Sequence, residues 1–363
     1  MKFRTLKIVS DKIAIIVILM TLAICTCCLT GCTGNTYNKK NVSEADVHER
    51  DVFAMDTYMS LKVYGNNADT ALKEASDYIY KLSSLLDVNE SDSEIYKLNT
   101  HLMSCAVSDD TFDIISEADK YSQMTCGKFD PTVYPLVRAW GFTTQEHKIP
   151  AQSEIDNLLP HVGMDKLTLN SDNHCIIMND LYTEIDTGAI AKGYLSQKIY
   201  EIFQKNEIQS AIVSLGGNVL AMGSKPDKSD WKIAISNPSD PDTNIATVQT
   251  HDKFIVTSGS YQRYFTKNGK RYHHIINPET GKPADSSLVS VTIVSDNGTA
   301  ADALSTALFV MGRKEAVKFW EKRPLPFDLI LIDNEDNIYI TEGIENSFET
   351  KSKKLHIIQE NSN

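Results

Sequence analysis

The pattern of apolar and polar positions after residue 50 predicts a strand followed by a helix. Residues 52–65, VFAMDTYMSLKVYG, are rich in β-branched and aromatic residues and end at a glycine, which is typical of a strand. Residues 67–86 place Ala71, Leu72 and Ala75 at helical spacing, with further apolar residues continuing the same stripe. We therefore expect the folded part to begin with one strand and one amphipathic helix.

A second helix is predicted over 109–124, with Ser108 as its N-terminal cap and Gly127 just past its end. The remaining pattern predicts strands near 174–178, 181–186, 210–215, 231–236, 253–258, 261–266, 271–276 and 288–294, helices at 189–205, 299–311 and 313–322, and a final hairpin over 327–341. Helices and strands do not alternate strictly, which favours an α+β fold with largely antiparallel sheets over a doubly wound fold.

The N-terminus has the pattern of a secretory signal. Basic residues from Lys2 to Lys12 precede an apolar run from Ile13 to Leu29, and the motif LTGC ends at Cys32. Cysteine after Leu-Thr-Gly matches a bacterial lipobox, in which Cys32 is lipidated and becomes the new N-terminus. The apolar run is almost long enough to span a membrane, so a transmembrane anchor is the alternative interpretation.

These features divide the chain into four predicted parts. A lipoprotein signal peptide occupies 1–31, and the lipidated cysteine with a polar, aperiodic tether occupies 32–50. One large folded domain is expected over 51–345, followed by a C-terminal tail over 346–363. A lipid anchor of this kind predicts attachment to a bacterial membrane on its extracytoplasmic face, either periplasmic or at the cell surface.

Composition and charge exclude some classes of protein. The 363 residues are 42% hydrophobic, which is enough to form a full hydrophobic core. The net charge of −12 disfavours non-specific binding of nucleic acid. After removal of the signal and lipidation of Cys32, the remaining cysteines are Cys105, Cys126 and Cys175. They lack metal-ligand spacing, so we expect them to pack in the core and predict neither a disulfide framework nor a zinc site.

Two glycine-containing segments have the pattern of ligand-binding turns. EIDTGAIAKGY, residues 184–194, predicts a strand ending near Asp186, a turn, and a helix whose Lys192 could attract phosphate. Capping or solvated residues at a helix start are the alternative. VSLGGNVLAMG places Gly216 and Gly217 between apolar strands, which predicts a hairpin turn or a close approach of backbone to a ligand.

The segment NGTAADALSTALFVMG, residues 297–312, predicts a buried helix that carries polar groups. Asp302 and Thr306 are four residues apart and share one face, with Ser305 beside them. A carboxylate with hydroxyls suits a hard cation such as Mg²⁺. The alternative is an Asp that only complements the helix dipole, worth about 0.3–1 kcal/mol.

Six segments together resemble the ApbE family of bacterial flavin transferases in order and spacing. They are FAMDT, GKFDPTVYPLVRAWGF, EIDTGAIAKGY, SLGGNVLAMG, VTSGSYQRYFTKNGKRYHHIINPETGKPA and AADALSTALFVMG, and the resemblance covers Val52 to Ile340. It implies an ApbE-like, T-fold-like single large domain. It also implies a reaction: with Mg²⁺, the family splits FAD, transfers FMN to a Ser or Thr hydroxyl of a partner flavoprotein, and releases AMP.

The resemblance assigns residues to this reaction. Asp302, Thr306 and the Ala189 carbonyl match metal ligands, with Ser305 as a lesser candidate. Positions that match contacts with FAD are Met55, Lys128, Phe129, Asp130, Asp186, Lys192 and Ile276, and the same cleft is expected to include Gly216, Gly217, Ser258, Gly259 and Ser260.

His274 matches the histidine of the family's H-I-I-D-P motif, with Asn277 in place of the more usual Asp. The resemblance makes His274 a candidate general base, a role that suits histidine near neutral pH. A structural histidine bonded to backbone near the turn is the alternative. His273 is expected to face the other side of the strand, because successive side chains alternate.

The chain departs from many relatives at Asn89, where an aromatic residue could stack on the flavin. Weaker retention of FAD leaves open a second activity, a Mg²⁺-dependent FAD pyrophosphatase that gives FMN and AMP. An FAD-binding surface lipoprotein without chemistry and a solute-binding lipoprotein are the alternatives from other classes. The family expectation for the partner is an acceptor flavoprotein of an extracytoplasmic electron-transfer system.

Overall fold

The computed structural model of the chain describes residues 47–100, 104–144 and 146–360, with the backbone alone at 104 and 105. The helices are α1 (Ala68–Leu86), α2 (Glu94–Asn99), α3 (Asp109–Met124), α4 (Tyr134–Ala139), α5 (Gln152–Leu158), α6 (Ala191–Lys205), α7 (Gly298–Met311) and α8 (Arg313–Glu321). The signal peptide, Cys32 and most of the predicted tether lie outside the described residues.

The strands are, in chain order, β1 (Val47–Ala54), β2 (Thr57–Tyr64), β3 (Ser104–Ala106), β4 (Leu167–Asn170), β5 (Cys175–Met178), β6 (Ser210–Leu215), β7 (Asn218–Met222), β8 (Trp231–Asn237), β9 (Asp240–Thr250), β10 (Lys253–Gly259), β11 (Tyr264–Lys267), β12 (Lys270–His273), β13 (Ile276–Asn277), β14 (Lys282–Pro283), β15 (Leu288–Ser295), β16 (Phe327–Asp333), β17 (Ile338–Thr341), β18 (Phe348–Thr350) and β19 (Leu355–Ile358).

A nine-stranded sheet in the order β1-β2-β6-β7-β10-β15-β16-β17-β19 is the centre of the fold. Its neighbouring strands are antiparallel except for the last pair, β17 and β19. Helices α1, α6 and α7 bury their apolar residues against one face. The three-stranded sheet β18-β9-β8 covers the other face. The predicted α+β class with largely antiparallel sheet is confirmed.

Side-chain alternation along β10 explains how one strand serves two faces of the sheet. Phe254 and Val256 lie in the core on the helical side, whereas Ile255 lies in the core beneath β8 and β9. The period of two then directs Ser258 to the same side as Val256, where it meets α7. A polar group is thereby carried from a strand end into the space between sheet and helix.

Several predicted elements are confirmed. Ser108 caps α3 by accepting a hydrogen bond from the Thr111 N–H, and Gly127 follows the helix end with a φ of 76°. Gly216 and Gly217 form the turn of the hairpin β6–β7. The helices predicted at 67–86, 189–205, 299–311 and 313–322 correspond to α1, α6, α7 and α8, and the final hairpin to β16–β17.

Other expectations were wrong. The single strand over 52–65 is the hairpin β1–β2, because Met55 and Asp56 take φ values of 50° and 54° and form a two-residue turn. Residues 181–186 do not form a strand. Cys126 is exposed, at a φ of 52° beyond the end of α3, and does not pack in the core.

The predicted domain boundaries also need correction at both ends. Residues 47–50, placed in the tether, pair with β2 as the start of β1. The predicted tail from 346 supplies β18, which pairs with β9, and β19, which pairs with β17. Both segments are short and carry few apolar residues, so the apolar pattern alone did not reveal them. Within the described part, no helix is long and apolar enough to cross a membrane.

We predict that Gly193→Ala destabilises the protein although Ala is the better helix former. A Cβ at Gly193 would lie 2.4 Å from the Gly298 carbonyl oxygen and 2.4 Å from Asp302 Cβ, so α6 and α7 would have to separate. Overpacking of this kind costs about 1–3 kcal/mol in the free energy of unfolding. Urea unfolding measures it, and Gln204→Ala on the exposed side of α6 is the control. A stabilised Gly193→Ala variant would contradict the close contact.

Candidate active site

Two helices meet at the centre of the candidate site. The first turn of α6 contains Gly193, and the first turn of α7 contains Gly298; each glycine would clash with the other helix if it carried a Cβ. This approach brings the Asp302 side chain to the N-terminus of α6, where Oδ2 accepts a hydrogen bond of 2.7 Å from the Gly193 N–H. The positive end of a helix dipole stabilises such a carboxylate.

Asp302 is a carboxylate in an unusually apolar setting. α7 is buried almost all round, and Asp302 itself is only 6% exposed. Burial raises the pKa of the Asp302 carboxyl, while the positive charge of Lys192 and the Gly193 N–H act in the opposite direction. A buried carboxylate of this kind is costly unless it is matched by a cation or by hydrogen bonds, which makes Asp302 a candidate functional residue.

Three hydroxyls lie beside Asp302. The Ser258 Oγ at the end of β10 is 2.7 Å from the Ser305 Oγ and 3.2 Å from the Thr306 Oγ1. The Ser305 hydroxyl also donates to the Asp302 carbonyl oxygen at 2.8 Å. Thr306 is half-buried and ends the polar face of α7. The structure therefore brings the hydroxyls of Ser258, Ser305 and Thr306 together, with the Ser305 hydroxyl on the backbone carbonyl of Asp302.

The oxygen cluster suits a hard cation better than a softer one. Mg²⁺ is usually held by one or two carboxylates together with substrate phosphates, and this cluster offers one carboxylate and neutral hydroxyls. The described residues contain no group of three or more His, Cys, Asp and Glu side chains that could hold a metal by themselves. A zinc-type site is thus not present in the part of the chain that the structure describes. Ala189 lies half-buried two residues before α6.

Lys192 connects the carboxylate with the histidine. The positive charge of Lys192 opposes the effect of burial, which raises the pKa of Asp302, and adds to the effect of burial, which lowers the pKa of His274. The ammonium lies 3.5 Å from the Gly188 carbonyl oxygen in the turn before α6, and the Gly188 N–H donates to Asp186 Oδ1 at 2.8 Å. Asp186 thus shapes the turn that carries Lys192.

His274 is held by the backbone of Arg263. The Arg263 carbonyl oxygen is 3.2 Å from the His274 backbone nitrogen and 3.2 Å from its Nδ1. A carbonyl can only accept, so Nδ1 carries the hydrogen and Nε2 keeps its lone pair. Burial, together with the nearby Arg263 charge, lowers the pKa of His274 to about 3. The imidazole is therefore neutral near pH 7.

His273 has a structural role on the opposite side of the strand, as predicted. Its Nε2 donates to the Ala284 carbonyl oxygen at 3.0 Å, and its ring meets Phe309 of α7 edge-on, with centroids 5.4 Å apart. Burial lowers the pKa of His273. Asn277, which replaces the more usual Asp, accepts from the Glu279 N–H at 2.9 Å and so caps the turn after His274.

The positions matched to FAD contacts fall into two groups. The side chains of Phe129 and Ile276 are 1% and 4% exposed and lie in the core, so only their backbone can face a ligand. Asp130 is also buried and accepts from the Thr132 N–H at 2.8 Å; burial raises the pKa of its carboxyl. Asn89, by contrast, is exposed.

Contacts between distant segments bring several of the other positions near one another. Lys128 forms an ion pair of 2.6 Å with Glu279, next to the turn that follows His274. The Asp186 N–H donates to the Pro131 carbonyl oxygen at 3.0 Å. At Gly216, where φ is 62°, a Cβ would lie 2.2 Å from Thr57 Oγ1, which places the Met55 turn against the β6–β7 turn.

Sequence reasoning missed two residues of the site. The Arg263 carbonyl fixes the tautomer of His274, and no sequence pattern marks a backbone acceptor. Asn218 is 1% exposed, yet neither its amide nitrogen nor its oxygen has a hydrogen-bond partner among the described residues. It directly follows Gly217, and a polar residue in an otherwise apolar strand was the available indication.

The profile of the ApbE family matches residues 55–330 of the chain. The chain belongs to the ApbE family. The FAD:protein FMN transferase of Vibrio cholerae is 30% identical over 308 residues, which cover 84% of this chain and 86% of that protein. The Escherichia coli K12 enzyme of the same name is 30% identical over 278 residues, covering 72% of this chain and 78% of its own length.

Solved structures agree with this membership. The ApbE protein of Thermotoga maritima superposes with a TM-score of 0.77 at 30% identity, over 83% of this chain and 99% of its own. The flavin transferase ApbE from Vibrio cholerae gives a TM-score of 0.74 at 27% identity, over 84% and 99%. The predicted ApbE-like single large domain is thereby confirmed.

We predict a specific pH dependence of stability from His274 of this ApbE protein. The unfolded histidine titrates near pH 6.5, whereas the folded value is about 3. Between these two pH values the unfolded chain binds one proton more than the folded chain. The contribution of His274 to the free energy of unfolding therefore rises with pH and levels off above about 6.5. The difference in Tm between wild type and His274→Gln should therefore move in favour of wild type from pH 4.5 to 7. A pH-independent difference would refute the lowered pKa.

Proposed function

We propose that this chain transfers FMN from FAD to a Ser or Thr hydroxyl of a partner flavoprotein and releases AMP. The observation that supports the proposal is a neutral His274 whose Nδ1 is bonded to the Arg263 carbonyl, which leaves the lone pair on Nε2, while the charge of Lys192 acts on both His274 and Asp302. The names of the similar proteins, FAD:protein FMN transferases, agree with this reaction.

The arrangement of these groups indicates where the proton and the phosphoryl group are transferred. His274 Nε2 takes the proton of the acceptor hydroxyl as its oxygen attacks the phosphorus of the FMN half of FAD. A new bond forms between that oxygen and phosphorus, the bond from phosphorus to the bridging oxygen breaks, and AMP leaves with the electron pair. Lys192 provides a positive charge beside the phosphates during this displacement.

Mg²⁺ fits the oxygen cluster on the observations above. Asp302, Thr306 and the Ala189 carbonyl would hold the ion, with Ser305 and Ser258 behind them. When bound, Mg²⁺ neutralises negative charge on the phosphates. The protein itself supplies the other groups. Helix α6 presents Lys192, and the Arg263 carbonyl keeps the proton on Nδ1 of His274.

A second activity is favoured by the exposure of Asn89. The residue offers no aromatic ring for stacking on the flavin, and its backbone N–H donates to Asp87 Oδ1 in the turn after α1. Water in place of the acceptor hydroxyl would then hydrolyse FAD to FMN and AMP. We propose transfer as the physiological reaction and hydrolysis as its side reaction.

The setting of the reaction is also part of the proposal. Lipidation of Cys32 anchors the enzyme to the outer side of a bacterial membrane, and the segment after it leads into β1. The acceptor is then a flavoprotein of an electron-transfer system that works outside the cytoplasm.

The deciding experiment uses protein without residues 1–32, incubated with FAD, Mg²⁺ and a candidate acceptor flavoprotein from the same organism. We expect the acceptor to gain the mass of one FMN residue. His274→Ala should slow transfer by about 10²–10⁴-fold, because the general base is lost. Asp302→Ala should abolish the response of the rate to Mg²⁺.

His251→Ala is the control, since His251 is a surface residue paired with Asp230. It should transfer FMN at the wild-type rate. Thermal unfolding shows whether each variant is folded. Full activity of folded His274→Ala would exclude the histidine as the base, and intact FAD with an unmodified acceptor would leave only a binding role.

We further predict that Asn89→Tyr tightens FAD binding. An aromatic ring stacked on the flavin contributes about 0.5–1.5 kcal/mol, which corresponds to roughly two- to tenfold in Kd. Fluorescence titration of FAD measures the change, and Asn89→Ala controls for loss of the amide. The rate of FMN and AMP formation without acceptor is followed in parallel. Equal Kd values for the Tyr and Ala variants would show that position 89 does not face the flavin.

A further inference from the structure

One strongly charged surface is not used by the reaction as described. It is the hairpin β11–β12 with the residue before it, here called the basic hairpin; its cations are Arg263, Lys267, Lys270 and Arg271. All four are exposed. In a chain with a net charge of −12, residues 253–278 contain no Asp or Glu. The basic hairpin is therefore a local positive surface on an acidic protein.

The cations of the basic hairpin have no carboxylate partner among the described residues, in contrast to several other surface lysines. Lys62, Lys73 and Lys120 form ion pairs with Glu49, Asp77 and Glu117. Within the described part of the chain, the four cations of the basic hairpin form no ion pair. Lys270 and Arg271 lie only over aromatic rings, 5.6 Å from the centroid of Tyr272 and 4.2 Å from that of Tyr264. Their charges remain available to a partner.

The basic hairpin is a fixed platform. Phe265 stacks on Tyr272 across the two strands, with centroids 5.2 Å apart, and on His147 at 5.0 Å. Phe142 packs on the Phe265 ring, with centroids 5.6 Å apart, and Trp140 packs on the Tyr272 ring at 5.4 Å. An aromatic cluster beneath the hairpin thus holds the cations in a defined array and limits the entropy lost when a partner binds.

The basic hairpin is continuous with the catalytic base. The Arg263 carbonyl, at its start, accepts the hydrogen bond of His274 Nδ1, and β12 ends at His273. Lys267 and Lys270 face each other at the far end of the hairpin. At about 3.4 Å per residue, Lys270 lies roughly 10 Å along the strand from His273. Three extended residues of a peptide span that distance.

We propose that the basic hairpin is the docking surface for an acidic segment of the acceptor polypeptide. The segment carries Asp or Glu about three or four residues from the hydroxyl that receives FMN. This assignment rests on the proposed function, because it names the partner of the same site. Charges around the rim of an interface act mainly on encounter and orientation, so the surface selects the acceptor and leaves the chemistry unchanged.

The first test needs no acceptor protein. A fluorescein-labelled hexaglutamate peptide is titrated with the enzyme, and binding is read by fluorescence anisotropy at 50 mM and 500 mM NaCl. Binding should be seen at low salt and weaken strongly at high salt, where charges are screened within about 3–5 Å. Lys267→Glu/Lys270→Glu should weaken it about tenfold or more.

The matched control is Lys351→Glu/Lys353→Glu, which makes the same charge change between β18 and β19, where both lysines are exposed. It should bind the peptide nearly as wild type does. Circular dichroism checks that both double variants are folded. If both double variants lose peptide binding equally, the binding responds to net charge alone and the proposal is overturned. Hexaglutamate binding that the hairpin variant retains would overturn it as well.

The second test uses transfer kinetics with the acceptor flavoprotein. Lys267→Glu/Lys270→Glu should raise KM for the acceptor about tenfold and leave kcat and KM for FAD unchanged. A raised KM for FAD instead would assign the hairpin to the phosphates of FAD. An unchanged acceptor KM with lost sedimentation on phosphatidylglycerol vesicles would assign it to the membrane surface. Either result overturns the proposal.

The two tests separate this inference from the reaction on which it rests. If wild type transfers no FMN, the proposed function fails, while hexaglutamate binding still shows whether the basic hairpin selects acidic polypeptide. If wild type transfers FMN and the hairpin variant has an unchanged acceptor KM, the docking surface fails and the transferase stands.

Discussion

The close contact between α6 and α7 is the constraint on which the site depends. Gly193 and Gly298 leave no room for a side chain, so the two helix backbones touch where both helices begin. Only at that separation does the Asp302 carboxylate reach the Gly193 N–H at 2.7 Å. A buried carboxylate, a helix N-terminus and Lys192 are thereby combined in one place. The packing of the core and the charge arrangement of the site are consequences of the same two glycines.

The central sheet supplies the Ser258 hydroxyl to the site, because successive side chains along β10 alternate between the two faces of the sheet. β10 sends Val256 into the core beneath the helices and, two residues later, sends Ser258 to Ser305 and Thr306 of α7. An apolar strand thus becomes polar at its end, without any change of direction. Because α7 is buried on nearly all sides, these hydroxyls and Asp302 are held away from competing water, where electrostatic interactions are stronger.

The histidine is positioned by a different structure, the hairpin β11–β12 over its aromatic cluster. Phe265 and Tyr272 anchor the two strands, and the Arg263 carbonyl at the hairpin start sets the hydrogen on Nδ1 of His274. The Ser258, Ser305 and Thr306 hydroxyls and the His274 imidazole therefore belong to separate substructures.

The sequence by itself determined the class of fold and the family. Apolar periodicity placed α1, α3, α6, α7 and α8, and six ordered motifs identified the ApbE family together with Asp302, Thr306, Lys192 and His274. These features are local, because periodicity and motifs are written in consecutive residues. The same local analysis predicted one strand where the structure has a hairpin that turns at Met55 and Asp56. Two non-glycine residues at positive φ are not visible in a pattern of apolar positions.

Only the tertiary structure decided what depends on residues far apart in the chain. Phe129 and Ile276 lie inside the core, although they belong to motifs matched to the ligand. The strands β18 and β19 form from a segment read as a tail, because their pairing partners were made by earlier parts of the chain. The tautomer of His274 likewise depends on a carbonyl eleven residues away, and its lowered pKa depends on burial by packing. No single stretch of sequence encodes either.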